Sequence, residues 1–244
     1  MEQTSGTYSG IGALVSQNAD TGIITVVKAF ADAPAAKAGV KNGDIIYKVK
    51  GKEVTGVDIN NVVTEMKGEK GTTVDITVYR ESEKKYIDFT ITRDQVNEPT
   101  VEYKMLDKKK KIGYIQISQF EEVTYDQFTK ALDDLKKQGM KAVIFDVRSN
   151  PGGLYETVCK MLDEILPEGN LVSTKDKYGN EEKQTSDSKC LDMPMVVLQN
   201  KDSASASEIF AGAIQDFNAG KIVGTQSFGK GIVQTILPLS DGSA

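Results

Sequence analysis

The sequence predicts a multidomain α+β protein, with a small β-rich domain at residues 7–94 and an α/β domain at residues 101–244. Two patterns support this prediction. In the first region, short segments of alternating apolar and polar residues are separated by glycine-containing turns. In the second region, apolar strands alternate with amphipathic helices, which is typical of a sheet with right-handed crossovers. The polar residues 95–100, which include Pro99, are interpreted as a linker.

Composition excludes several classes of protein. The 244-residue chain has a net charge of −5, which does not favour nucleic-acid binding. No apolar run approaches the roughly 18 residues that a membrane-spanning helix requires. The chain has no histidine, so a Ser-His-Asp triad and imidazole metal ligands are excluded. Cys159 and Cys190 are interpreted as two buried thiols, and a disulfide between them stays open.

The first domain is expected to contain several strands and two short helices. Alternation predicts strands at residues 22–27, 45–49 and 74–79, and another after the turn Gly10-Ile11-Gly12. A short helix should begin near Pro34 and end at Gly39, because proline suits the first turn of a helix and glycine its left-handed end. Residues 57–66 suit an amphipathic helix, whose apolar side is formed by Val62, Val63 and Met66.

The second domain is expected to alternate strands with helices. Strands are predicted at residues 113–118, 142–147 and 195–198, and helices at residues 125–138 and 154–166. The lysines at residues 108–111 are interpreted as a solvated turn between two strands. A further helix should begin at Ser205, because Ser205-x-x-Glu208 matches a capping box and apolar residues follow at helical spacing.

Ser205 is a candidate nucleophile because of this expected position. Free N–H groups and the positive end of the helix dipole meet at a helix start, and both stabilise a developing oxyanion. A serine hydroxyl also needs a base, which without histidine must be a lysine or a carboxylate. Lys230 lies between Phe228 and the pair Ile232-Val233, a setting that suits a buried, neutral amine. Taken singly, the two residues are better explained as an N-capping serine and a surface lysine.

Together these motifs resemble those of the carboxyl-terminal processing (tail-specific) proteases. The resemblance rests on the run Ser203-Ala-Ser-Ala-Ser-Glu208, the turn Phe228-Gly-Lys-Gly231 and Gln234. It implies a Ser/Lys dyad in which Ser205 is the nucleophile, Lys230 is the base and Gln234 orients the lysine. The run Asp146-x-Arg148-x-Asn150-Pro-Gly-Gly-Leu154 is similar to a strand-end motif of the family. It implies an oxyanion hole formed by the N–H of Ala206 and that of Gly152 or Gly153, without deciding between the glycines.

The first domain resembles a PDZ domain. The likeness rests on Ala33-Pro34-x-x-x-Ala38-Gly39-x-x-x-Gly43-Asp44-x-Ile46. A PDZ domain binds a peptide C-terminus by strand addition and holds its carboxylate with backbone N–H groups. The turn Ser9-Gly10-Ile11-Gly12 would supply those N–H groups, and Ala13 begins the pairing strand. Val62 and Met66, with Val63, are expected to line the groove.

The resemblance implies a serine endopeptidase that recognises C-terminal protein tails through its PDZ domain and needs no metal or organic cofactor. Its expected partners are proteins or peptides with free, apolar C-termini, and not nucleic acid; homo-oligomerisation stays open. The implied core is similar to those of Clp proteases and crotonases. Family members continue beyond a turn such as Asp241-Gly242, so the catalytic domain is expected to be incomplete in this chain. The expected location is the cell envelope, with the signal or membrane anchor absent from this chain.

Two alternatives stay open. The first is a PDZ peptide-binding fragment of such a protease, whose catalytic half is expected to be inactive because it is truncated. A crotonase-type acyl-CoA enzyme would use a similar oxyanion hole, but it has no reason to carry a PDZ domain or the serine run.

Overall fold

The structure is a computed structural model that describes residues 5–234. Its contacts divide the chain into two units, one of them Thr7–Glu98 and the other the chain from Pro99 on, together with residues 5 and 6. Each unit has its own hydrophobic core. The turn predicted at Asp241-Gly242 lies outside the described residues.

The first unit contains eight strands and two helices. The strands are β1 Thr7–Gly10, β2 Ala13–Gln17, β3 Ile24–Ala29, β4 Ile45–Val49, β5 Lys52–Glu53, β6 Thr73–Arg80, β7 Lys85–Thr92 and β8 Asp94–Asn97. The helices are α1 Pro34–Ala38 and α2 Ile59–Met66. Antiparallel strands form a six-stranded sheet in the order β2-β3-β4-β6-β7, with β5 paired to β4. Strands β1 and β8 form a separate antiparallel pair.

Local sequence explains these elements. Strand β6 alternates in burial, so that Val74, Ile76 and Val78 face the core. Helix α1 ends at Gly39, whose φ of 100° lies in the left-handed region that glycine tolerates. Helix α2 begins after Asp58, whose side chain accepts a hydrogen bond from the second helical N–H. The two predicted helices of this unit are therefore confirmed, although α2 begins two residues later than predicted.

Strand β8 occupies part of the segment that was predicted to be a linker. Its residues pair with β1, from Asp94 opposite Gly10 to Asn97 opposite Thr7. Val96 is the only buried residue of this strand. A strand with one buried side chain shows no alternation of apolar and polar residues in its sequence. Strand β8 is defined by its backbone pairing with β1, which the polar composition does not indicate. The prediction of a linker at residues 95–100 is wrong over this strand.

A buried ion pair joins the end of β6 to the turn that follows α1. Arg80 Nε donates to Asp44 Oδ1 and Arg80 Nη2 donates to Asp44 Oδ2, both at 2.7 Å. The arginine and aspartate side chains are 9% and 1% exposed. Arg80 also donates to the carbonyl oxygen of Gly39 at 2.9 Å, so it ties the helix end to the sheet.

Arg80→Met should lower the free energy of unfolding of the first unit by about 3–5 kcal/mol, because it leaves the Asp44 carboxylate buried and unpaired. Urea unfolding measures this loss. Lys70→Ala is a matched control, since Lys70 pairs with Asp94 at 2.7 Å on the surface. That variant should unfold close to the wild-type midpoint, because exposed ion pairs contribute little. An Arg80→Met midpoint equal to wild type would show that the buried pair does not hold the unit together.

The described part of the second unit, up to residue 234, contains seven strands and, from Pro99 on, three helices. The strands are β9 Val101–Asp107, β10 Ile112–Ile117, β11 Ala142–Asp146, β12 Gly169–Lys175, β13 Glu181–Ser186, β14 Met195–Gln199 and β15 Gly220–Gly224. The helices are α3 Glu122–Lys137, α4 Tyr155–Asp163 and α5 Ala206–Asp216. The main sheet has the order β15-β14-β11-β10-β9, parallel except for β9. The predicted strands, the lysine turn between β9 and β10, and the helix after Ser205 are confirmed.

Aromatic side chains fill the core of this unit. Phe120, Phe128, Phe145 and Phe210 are fully buried. The rings of Phe145 and Phe210 meet edge to face, with centroids 5.4 Å apart, so α5 packs directly on the central strand β11. The hairpin of β12 and β13 was not predicted, because β13 is polar and almost wholly exposed.

Both cysteines are free thiols. Cys159 is buried on α4, and burial raises the pKa of its thiol to about 11. Cys190 is exposed in the irregular segment before β14, so the prediction of a buried thiol is wrong there. Within residues 5–234, no helix is long and apolar enough to cross a membrane. In the same part of the chain, no group of metal-ligating side chains is assembled for an ion.

Parallel pairing of β11 with β14 sets the position of the candidate site. Asp146 lies opposite Leu198 near the carboxyl ends of the two strands. The loops that follow therefore leave the sheet at the same edge, which is where α/β sheets commonly bind ligands. One loop carries the pair Gly152-Gly153, and the other carries Ser205 to the start of α5.

Candidate active site

Ser205 has a backbone conformation that is unusual for a residue with a side chain. It is the N-cap of α5, with φ 54° and ψ −116°. Such a conformation costs about 1–3 kcal/mol and tends to persist at functional sites. The capping box predicted with Glu208 forms, because the Glu208 carboxylate accepts the Ser205 backbone N–H at 2.8 Å.

The three alternate serines of this segment have different environments. Ser203 Oγ donates to the carbonyl oxygen of Val147 at 2.7 Å, and Ser207 Oγ donates to that of Asn150 at 2.9 Å. Both of these side chains are fully buried. Ser205 is only partly buried. The side chains of Ser203 and Ser207 therefore bind this segment to the backbone of residues 147 and 150. Of the three serines, only Ser205 reaches solvent.

Gly152 lies directly against the nucleophile segment. A side-chain carbon on Gly152 would lie 2.8 Å from Ser205 Cβ and 3.0 Å from the Ala206 nitrogen. The φ of Gly152 is 107°, so glycine is required both for space and for backbone conformation. Its N–H is engaged, because it donates to Asn150 Oδ1 at 2.8 Å. Gly152, which lies against Ser205, therefore has no free N–H.

Gly153 and Ala206 have the uncommitted backbone N–H groups. Within the described residues neither N–H donates a hydrogen bond. Gly153 is held by its neighbours, since the Phe120 N–H donates to the Gly152 carbonyl oxygen at 2.9 Å and the Leu154 N–H to that of Phe120 at 2.6 Å. Ala206 is the first residue of α5, where helix N–H groups lack intrahelical acceptors.

Asn150 and Asp146 position this glycine loop. Asn150 is fully buried, and its Nδ2 donates to the carbonyl oxygen of Ile117 at 2.9 Å. Asp146 accepts from Tyr114 Oη at 2.7 Å and from Arg148 Nη2 at 2.6 Å. Burial raises the pKa of Asp146, but the hydrogen bonds from Arg148 and Tyr114 together lower that pKa by more than burial raises it. The pKa of Asp146 therefore lies below its usual range. The aspartate is therefore an ionised anchor for the loop.

Lys230 is exposed, which differs from the predicted burial. Its Nζ lies 3.5 Å from Gln234 Oε1, at the outer limit of a hydrogen bond. No hydrogen bond joins Lys230 Nζ to Ser205 Oγ among the described side chains. The neighbouring Phe228 and Ile232 are 69% and 63% exposed. Apolar neighbours in sequence bury a lysine only when another element packs over them, and within residues 5–234 none does so.

Glu208 links the two segments of the candidate site. Besides Ser205, its carboxylate accepts hydrogen bonds from Ser227 Oγ and from the backbone N–H groups of Gly229 and Lys230. Burial raises the pKa of Glu208, but these hydrogen bonds outweigh burial and lower it below its ordinary value. The sequence predicted only the capping contact, since spacing along one helix says nothing about a loop 19 to 22 residues away.

The predicted carboxylate-binding turn is shorter than expected. Ser9 and Gly10 belong to β1, so Ile11 and Gly12 alone connect β1 to β2. Their carbonyl oxygens accept the N–H groups of Ala35 and Phe30 at 2.7 and 3.0 Å. Within residues 5–234 the N–H groups of Ile11 and Gly12 donate no hydrogen bond.

The predicted groove residues on α2 face the core instead. Val62 and Met66 are 2% and 4% exposed and belong to the core of the first unit. Ile59 and Val63, four residues apart, are only partly buried on the same helix. The predicted groove residues Val62 and Met66 therefore have little surface exposed to a peptide, because they pack in the core.

Lys67 is a residue near the carboxylate turn that the sequence did not indicate. Its Nζ lies 4.8 Å from the centroid of the Tyr8 ring. Its Cα lies 3.6 Å from where a Cβ on Gly10 would be, next to the end of β1. The Lys67 ammonium therefore lies over a side chain of β1, the strand that leads into this turn.

Comparison with known protein families agrees with both units. Residues 111–244 match the sequence model of peptidase family S41, and residues 9–91 match that of the PDZ domain. The chain belongs to peptidase family S41 and carries a PDZ domain. These matches confirm the predicted multidomain α+β fold class.

Individual relatives support the same assignment. The chain is 39% identical over 251 residues to the carboxy-terminal-processing protease of Bartonella bacilliformis, a match that covers 100% of the chain and 56% of the relative. It is 38% identical over 246 residues to a probable CtpA-like serine protease of Staphylococcus epidermidis, covering 99% of the chain and 49% of the relative. The photosystem II D1 C-terminal processing protease is structurally similar, with a TM-score of 0.54, 29% identity, and 97% and 65% coverage. The chain thus spans about half the length of the curated relatives that it matches.

Proposed function

We propose that this chain is part of a serine endopeptidase that binds C-terminal protein tails with its PDZ domain and cleaves peptide bonds with Ser205. The observation that carries the proposal is the strained, partly exposed Ser205 at the start of α5, next to the uncommitted N–H of Ala206 and against Gly152, whose neighbour Gly153 also has an uncommitted N–H. Membership of family S41 and the named relatives support the same chemistry. An acyl-CoA enzyme has no such support.

The proposed reaction is acyl transfer without a cofactor. Lys230, as a neutral amine, takes the proton from Ser205 Oγ, which attacks the peptide carbonyl carbon and forms a tetrahedral oxyanion. The lysine then protonates the leaving amine. In the second half, the lysine takes a proton from water, which attacks the acyl carbonyl carbon, and returns that proton to Ser205 Oγ as the carboxylic acid leaves. Since Lys230 is exposed here, the catalytic state must differ by bringing its Nζ under cover and within reach of Ser205 Oγ.

For the oxyanion hole we propose the N–H groups of Gly153 and Ala206. Both are uncommitted, whereas the N–H of Gly152 is used by Asn150. Gly152 instead allows the two loops to approach closely, because any side chain at this position would clash with Ser205 and Ala206. Preformed donors of this kind stabilise the charge that develops in the transition state.

For the PDZ domain we propose that Ile11 and Gly12 bind the terminal carboxylate with their N–H groups. Edge strand β2 would pair with the peptide, starting at Ala13. Ile59 and Val63 offer partly exposed apolar surface, so tails that end in small or aliphatic residues should bind best. Lys67 adds a positive charge near the carboxylate. An extracytoplasmic location is part of the same proposal, since the family resemblance implies export.

Free and amidated tails test this function directly. A peptide ending in two alanines should bind with an affinity on the order of micromolar, and its C-terminal amide about tenfold more weakly or worse. A protein substrate carrying the free tail should likewise be cleaved faster than its amidated form. Isothermal titration calorimetry and gel-based cleavage assays measure the two effects. Equal binding of both peptides would mean that the carboxylate is not recognised.

Lys67→Ala refines the same test. It should weaken binding of the free-acid peptide a few-fold and reduce the dependence of affinity on salt, because an exposed charge acts through a screened field. Lys70→Ala is the control, since that lysine is paired with Asp94.

The exposed Lys230 favours one alternative, a PDZ peptide-binding protein without catalysis. Fluorophosphonate labelling separates the two functions, because only an activated serine reacts. Labelling that is lost in Ser205→Ala supports the peptidase, and tail binding without labelling supports the binding protein.

A further inference from the structure

Glu208 makes more hydrogen bonds than its capping role requires. Oε1 accepts from Ser227 Oγ and from the Gly229 N–H, both at 2.7 Å. Oε2 accepts from the N–H groups of Ser205 and Lys230, both at 2.8 Å. One carboxylate therefore joins the start of α5 to the loop that carries the proposed base.

We propose that Glu208 is a positioning residue for the Ser/Lys dyad, whose carboxylate holds the backbone of Lys230 against that of Ser205. The inference rests on the proposed function. A single oxygen atom lies between the two backbones, so it limits how far the lysine segment can move from the nucleophile. Glu208 contacts neither the substrate nor the reacting atoms in this role.

The chemistry of the contact calls for an ionised carboxylate. Four donors point at Glu208, and only a carboxylate offers acceptor sites on both oxygens without presenting a hydrogen of its own. A glutamine would place an amide NH₂ against two of the donors. The lowered pKa of Glu208 agrees with this arrangement, since the hydrogen bonds outweigh the cost of burial.

Capping of α5 alone does not account for the hydrogen bonds that Glu208 accepts. A capping box uses the N–H of the N-cap residue, here Ser205. The other three donors belong to residues 227–230, which follow β15 and are not part of the helix. Those residues are otherwise mostly exposed, and one further hydrogen bond, from the Phe228 N–H to the Ser203 carbonyl oxygen at 3.0 Å, holds them to the same segment. Glu208 thus supplies most of the polar attachment of the loop.

Glu208→Gln in the full chain tests the proposal. The amides of Gly229 and Lys230 should exchange with solvent at least about tenfold faster, because their acceptor is lost. For a short peptide substrate, kcat should fall about 10- to 100-fold while KM stays within twofold, since misplacement of a catalytic group costs that much. Ser227→Ala removes one of the four hydrogen bonds and should produce a smaller change of both kinds.

Glu156→Gln is the matched control. Glu156 lies in the first turn of α4, as Glu208 lies in the first turn of α5. Unlike Glu208, it is exposed and holds no loop. That variant should leave exchange and kcat unchanged. If Glu208→Gln folds and leaves either amide exchange or kcat at the wild-type value, the positioning role is wrong. If Ser205→Ala cleaves as well as wild type, the proposed function is wrong, and the exchange measurement still tests whether Glu208 holds the loop.

Discussion

Ser205→Ala is expected to reduce peptide cleavage by roughly 10⁴-fold or more, because it removes the only proposed nucleophile. The protein should still fold, since Ser205 is partly exposed and its Oγ is not used to fasten the loop. Steady-state cleavage of a peptide substrate measures the first effect, and thermal unfolding measures the second.

Ser203→Ala provides the contrasting control for this variant. Ser203 Oγ is buried and donates to the carbonyl oxygen of Val147. Removing it also takes the acceptor from the Asn200 N–H, which donates to Ser203 Oγ at 3.0 Å, and should cost about 1–3 kcal/mol of stability, with cleavage largely retained below the unfolding temperature. Cleavage by Ser205→Ala within a few-fold of wild type would assign the nucleophile elsewhere.

Lys230→Ala and Lys230→Arg are both expected to lose about 10²- to 10⁴-fold in kcat, the usual contribution of general acid–base catalysis. Arginine keeps the positive charge but cannot be deprotonated in a protein, so it cannot accept the proton of Ser205. Single-turnover cleavage over a range of pH measures the chemical step. In the wild type, its rate should rise with pH as the amine loses its proton.

Lys230→Arg distinguishes the base from a purely electrostatic role. Substantial activity in this variant would mean that the charge matters and the proton transfer does not. A control at Lys221, an exposed lysine on β15, should leave the rate unchanged on mutation to arginine. A wild-type rate that does not vary between neutral and alkaline pH would argue against a lysine base, provided that chemistry limits the rate.

Much of the fold could be predicted because each element carries its own local signal. The apolar run of β11 indicates a buried parallel strand, and Pro34 with Gly39 limits α1 at both ends. Strands β8 and β13 lack such a signal, because each has one buried residue and depends on pairing with a distant partner. Pairing across the chain cannot be deduced from a short polar segment.

The candidate site was predictable in its residue types but not in its contacts. The motifs around Ser205 and Gly153 predicted free backbone N–H groups, and within residues 5–234 the N–H groups of Gly153 and Ala206 donate no hydrogen bond. The commitment of the Gly152 N–H to Asn150 depends on loop geometry, which spacing does not give. The burial of Lys230 was inferred from its sequence neighbours, but burial depends on what packs above them in space.

The pairing of β11 with β14 would also set when the proposed chemistry can begin. Gly152 and Ser205 meet in the loops that follow these two strands, so a chain whose sheet has not formed would have Ser205 and the adjacent Ala206 N–H without the glycine loop against them. The proposed nucleophile would then lack part of its proposed oxyanion hole until the sheet is complete. We therefore expect the reaction of Ser205 with a phosphonate to report on completion of the sheet as well as on the chemistry of the serine.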